Sequence, residues 1–149
     1  MARFRFQLEA VLEHRIRLEQ EQQRVVADLE AKRVALEQTI RSCQESLVRE
    51  RAEMRSLLAS ADIRGARFQA GAAARFVTNA QRAVLELAGI HKRLETARAV
   101  LLEASKKRKA VELLKERRYE EWRYRRNQRE NAEIDELAVM RAGRGSEIA

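Results

Sequence analysis

The chain has 149 residues, no proline and only five glycines, and 36% of it is Asp, Glu, Lys or Arg. Lys and Arg number 31 against 23 Asp and Glu, a formal net charge of +8. Sheet-rich folds and α/β enzymes of this size need turns built from Gly, Pro, Asn and Asp, and seven aromatics leave little bulk for a thick core. What composition leaves is a long helical protein with narrow apolar seams.

The N-terminus meets Glu9 before an apolar stretch of signal length has built up. Apolar runs such as Ala99-Val100-Leu101-Leu102 fall far short of the ~20 residues that span a bilayer. The single cysteine, Cys43, cannot form an internal disulfide. These features predict a soluble, cytoplasmic protein.

From Leu8 an apolar series steps by threes and fours through Val11, Arg15, Leu18, Gln22, Val25 and Leu29, the pattern of a heptad seam. It resumes at Leu36 and runs through Ile40, Cys43, Leu47, Glu50, Met54, Leu57 and Ala61, with a phase break through Arg33 that predicts local unwinding of a supercoil. Helix one is therefore expected over 6–62. Gly65 and Gly71 mark an interruption, so a turn is expected over 63–74. A more regular seam follows through Phe76, Ala80, Ala83, Leu87, Ile90, Leu94, Ala97, Leu101, Ala104, Arg108 and Val111. Helix two is expected over 75–140, with a last apolar patch at Ile134, Leu137 and Met140 and a frayed tail over 141–149.

Two amphipathic helices joined by one break fold most economically as an all-α, antiparallel two-helix coiled coil, a helical hairpin in one domain. Folding about residue 68 would set Leu87 near Glu50, Leu101 near Leu36, Val111 near Val25, and Trp122 near His14 and Arg15. A parallel dimer of extended helices is the alternative.

Catalytic constellations are missing from the pattern. His14 and His91 have no Cys or His neighbour at metal spacing, no Gly-Lys pair offers a phosphate loop, and Cys43 reads as a small buried hydrophobe. The expectation is a protein that is not an enzyme and has no cofactor, no metal and no small-molecule substrate. The charge is concentrated instead. Between Ser105 and Arg129 eleven Lys or Arg face four Glu, so +7 of the +8 lies there, interleaved with Tyr119, Trp122 and Tyr124. The hairpin would bring Phe4 and Phe6 alongside. Such an end suits a protein partner; a basic nucleic-acid-binding arm and a plain solvated face are the competing readings, and no recognition module for nucleic acid is present.

The opening Phe4-x-Phe6-x-Leu8-Glu9-x-Val11-Leu12-x-x-Arg15 resembles the start of the flagellar export protein family FliJ. Arg108-Lys109-x-x-Glu112-x-Leu114-Lys115 and Ile134-Asp135-Glu136-Leu137-Ala138 resemble that family's distal helix. The resemblance covers nearly the whole chain. It implies a non-enzymatic central stalk of type III export that inserts its paired termini into the ring of the export ATPase FliI and promotes assembly of that ring. It also implies contact with the export gate FlhA at the cytoplasmic face of the membrane, and cycling of export chaperones. Carried over by position, the ring-binding residues would be Phe4, Phe6, Leu8, Val11, Leu12, Arg15, Lys115, Arg118, Trp122, Arg125 and Arg126. The gate-binding residues would be Phe76, Ala80, Ala83 and Leu87, where the sequence is more alanine-rich than the family. A stalk of a virulence-type secretion system is the neighbouring alternative.

Overall fold

The computed structural model describes residues 3–146, with side chains through 142. Two helices account for nearly all of it, α1 over Glu9–Ala59 and α2 over Ile63–Ser146. They pack antiparallel as an all-α hairpin. Among the described residues no helix is long and apolar enough to cross a membrane.

The turn is shorter and earlier than the glycines suggest. Ala61 adopts a left-handed backbone, with φ at 60°. The N–H of Asp62 reaches back to the carbonyl of Leu57 at 2.9 Å and that of Ala61 to Leu58 at 3.1 Å. This pair of bonds is a Schellman C-cap, usually closed by glycine. One residue on, the Asp62 carboxylate accepts a hydrogen bond from the backbone N–H of Gly65 at 2.9 Å and so caps α2. The expected 63–74 turn is thus the first turns of α2. Gly65 and Gly71 keep helical conformations, and no glycine among the described residues has positive φ. The tail reading over 141–149 is met by helix through Ser146, and 147–149 lie outside the described residues.

Moving the turn moves the register. Glu53 meets Gln69 and Glu30 meets Arg98, while Glu9 meets Lys115, so facing residues have midpoints between 61 and 64 instead of 68. Trp122 accordingly faces Phe4, ten positions before the expected His14. The expected pairings of Leu87, Leu101 and Val111 shift in the same sense.

The seam of α2 is as read, and it extends upstream. Ala66, Ala83, Ile90, Leu94 and Ala97 are buried, and Phe76, Ala80, Leu87, Leu101, Ala104, Arg108 and Val111 are half-buried. In the first half of α1 Arg15, Gln22 and Leu29 are inward as read, and the alternate positions are offset by one residue. Leu12 and Glu19 are buried and Val26 half-buried, whereas Val11 and Val25 are exposed. The inward positions are 12, 15, 19, 22, 26, 29, 33, 36, 40, 43, 47, 50, 54 and 57, each buried or half-buried. Those steps alternate three and four without interruption. The break read through Arg33 therefore vanishes: with Val26 in place of Val25 the steps into Arg33 and Leu36 run three, four, three.

Contacts divide the chain into two units, 1–19 with 104–149, and 20–103. In the second unit, Cys43 is buried as a small hydrophobe, and Arg33 bridges Glu30 and Glu37 along its own helix at 2.7 Å each. Arg33, with Arg98 from across the hairpin, holds the Glu30 carboxyl below the usual glutamate range. In the first unit, Glu19 takes a core position. Its carboxylate accepts from Ser105 Oγ at 2.9 Å and from Arg108, which also bonds Glu112. These bonds to Glu112 and Glu19 push the Arg108 guanidinium further up. A buried carboxylate with its partners supplied is admissible in a seam and resists a slip of register.

Candidate functional site

In the unit formed by 1–19 and 104–149, residues 3–8 precede α1 and lie against α2. Phe4 and Phe6 alternate with Arg3, Arg5 and Gln7, so an extended strand-like segment turns its two rings inward and its polar residues outward. Both phenylalanines are half-buried, while Arg3, Arg5 and Gln7 are exposed.

The Phe4 ring meets Tyr119 edge-on, centroids 5.3 Å apart at 80°, and Trp122 at 5.8 Å and 54°. Tyr119 and Trp122 stack at 5.9 Å and 28°. Their three-residue spacing puts both rings on one side of α2. Each pair of this kind adds about 0.5–1.5 kcal/mol beyond area burial, which is enough to seat a short segment having no helix of its own.

Cations surround the rings. The Lys115 ammonium lies 6.0 Å from the Phe6 centroid and bonds Glu9 at 2.8 Å. The Arg126 guanidinium lies 5.2 Å from the Trp122 ring and 3.2 Å from Glu130. Arg125 makes a looser pair with Glu121 at 3.8 Å. An open cleft of about 530 Å³ follows, lined by Phe4, Phe6, Leu8, Leu114, Arg118 and Trp122 among others. Flat rings flanked by guanidinium groups suit an acidic peptide surface: the rings give apolar area and the arginines bind carboxylates through paired N–H donors.

Of the eleven residues assigned to this end, Phe4, Phe6, Leu8, Arg118, Trp122, Arg125 and Arg126 line the cleft, and Lys115 sits beside Phe6. Val11, Leu12 and Arg15 are not among its lining residues; Leu12 is buried in the seam and Arg15 half-buried on the inward stripe. Tyr119 and Leu114 belong to the site as well. Tyr119 was visible as one of three aromatics in the basic segment, and its three-residue offset from Trp122 was the signal. The four residues assigned to the gate, Phe76, Ala80, Ala83 and Leu87, all lie on the inward stripe of α2, with Ala83 only 4% exposed. Their exposed neighbours are Val77, Val84 and Leu85, the last 75% exposed.

The family model of the flagellar FliJ protein matches residues 4–147. Comparison with curated proteins and with solved structures gives no match.

Proposed function

Because the chain belongs to the flagellar FliJ family, we propose that it works as a non-enzymatic stalk of the flagellar export apparatus, at the cytoplasmic face of the membrane, and engages the ring of the export ATPase FliI through the end that carries Phe4, Tyr119 and Trp122. The observation that supports this reading is the three-ring cluster with Lys115, Arg118, Arg125 and Arg126 around it. Cationic residues steer an acidic partner onto such an end, and contact through flat rings lets a stalk turn against its housing where deep knobs would lock it.

Promotion of ring assembly, a link to the export gate FlhA and cycling of export chaperones belong to the same proposal. A gate contact in the first half of α2 would fall to Val77, Val84 and Leu85, because Phe76, Ala80, Ala83 and Leu87 are occupied with α1.

The test mixes the purified chain with the FliI-type ATPase of the same source and measures hydrolysis and ring formation at low and moderate salt. Stimulation that falls on Trp122→Ala and on Arg125→Glu with Arg126→Glu supports the proposal. Equal rates with and without the chain overturn it.

A further inference from the structure

From Arg123 to Ala142 every residue of α2 is exposed in the single chain. This stretch is not uniformly polar. Ile134 is 62% exposed, Leu137 58% and Met140 55%. At 3.6 residues per turn these three, together with Glu130, Glu133 and Arg141, fall within about 60° of Leu137 around the helix. One face therefore carries an apolar patch with acid before it and base after it. Glu133 and Arg141 have no ion-pair partner among the described residues, whereas Glu130 is held by Arg126.

The order of residues on this face is symmetric about Leu137. Ile134 and Met140 stand three positions to either side, and Glu133 and Arg141 stand four positions to either side. A second copy laid antiparallel sets Leu137 on Leu137, Ile134 on Met140 and Glu133 on Arg141, each unlike pairing occurring twice. A parallel copy would set Glu133 on Glu133 and Arg141 on Arg141, which is repulsive on both counts. Charge complementarity thus selects the partner and its direction.

We propose that the exposed face of α2 around Leu137 is a self-association surface, on which two copies of this chain pair antiparallel through Ile134, Leu137 and Met140 with reciprocal Glu133 to Arg141 ion pairs. The patch covers about three turns of helix, well under the ~1,200 Å² of a stable interface, so the pairing is a weak one that depends on concentration and salt. It uses none of the residues assigned to the ATPase, although Glu133 borders the same cleft, and it stands whether or not that assignment holds.

Analytical ultracentrifugation of the full chain from about 1 to 300 μM tests it. The mass is expected to rise from 17.3 kDa toward twice that value at the upper end and to fall back as salt is added. Glu133→Arg or Arg141→Glu alone strikes both ion pairs of a symmetric dimer and weakens association by about tenfold or more. The double exchange, Glu133→Arg with Arg141→Glu, restores it, with helix content by circular dichroism unchanged throughout. Direction is read by oxidation in a Cys43→Ser background: a mixture of Ile134→Cys and Met140→Cys chains crosslinks, and Ile134→Cys alone does not. A chain that stays monomeric to 300 μM, a double exchange no better than the singles, or an Ile134→Cys self-crosslink overturns the proposal.

Discussion

Asp62 and Gly65 are coupled twice: the Asp62 carboxylate accepts the Gly65 backbone N–H at 2.9 Å, and a Cβ on Gly65 would lie 2.5 Å from Asp62 Oδ2. The cap that starts α2 therefore occupies the space a side chain at 65 would need. At Gly71 and Gly89 no atom lies within 4 Å of such a Cβ. Gly71→Ala and Gly89→Ala are expected to stabilise the chain by about 1 kcal/mol each, roughly 2–4 °C in melting temperature. Gly65→Ala gains the same helix propensity but displaces a cap worth about 1 kcal/mol, leaving the melting point nearly unchanged. In an Asp62→Ala background, itself about 1 kcal/mol less stable, Gly65→Ala should recover its full gain. Thermal melts of the four chains read out that non-additivity, and simple additivity would disprove the coupling.

Ala61 sits in left-handed backbone, where an L side chain costs roughly 1–2 kcal/mol that glycine does not. Ala61→Gly is expected to stabilise the hairpin by about 1 kcal/mol despite the greater entropy of the unfolded glycine. Ala61→Val should do the opposite, since a branched Cβ worsens the same clash. Urea unfolding followed by circular dichroism compares the three.

Glu30 is ionised more readily in the fold than in the unfolded chain, because Arg33 and then Arg98 hydrogen-bond its carboxylate. A lowered folded value means that this contribution to stability is fully present above the ordinary glutamate value and is lost as pH falls through the folded one. The melting temperature should therefore drop on acidification below about 4.3, and the drop should be smaller in Glu30→Gln. Arg98 is exposed and Glu30 and Arg33 only half-buried, so the difference is small and shrinks further with added salt. Melts from pH 6 to pH 3 at two ionic strengths measure it; an equal drop in both chains would refute the account.

The fold class was legible because α2 repeats Leu and Ala in unbroken steps from Phe76 to Val111. The first half of α1 was not, for a physical reason: ranking by hydrophobicity prefers Leu18 to Glu19 and cannot separate Val25 from Val26. Glu19 is inward only because Ser105 and Arg108 come from the other helix to satisfy it, and no local pattern carries that information. The turn was misread for a similar reason. Glycines signal interruption, yet the reversal is made by Ala61 and Asp62, whose roles depend on backbone bonds to Leu57, Leu58 and Gly65. The basic, aromatic end was visible as composition, but which ring faces Phe4 followed from the register and so shifted with the turn.

Phe4 is the residue through which that end is held, since its ring touches both Tyr119 and Trp122 while Arg3 and Arg5 beside it are exposed. Trp122→Ala removes its ring contacts with Phe4 and Tyr119 and the surface over which Arg126 lies; Phe4→Ala removes both contacts that hold its own segment. Each should release residues 3–8 from α2 with little change in melting temperature, because the seam from Leu12 onward is untouched. Trypsin reads this directly: cleavage after Arg5 is expected to quicken severalfold in both variants, with cleavage inside the hairpin unaltered. Trp122→Phe keeps a ring at the position and should restore much of the protection. If ATPase stimulation falls in Phe4→Ala and Trp122→Ala and returns in Trp122→Phe, the ordered aromatic end is what the ring reads. If stimulation is lost only when Arg125 and Arg126 become Glu, charge alone carries the contact.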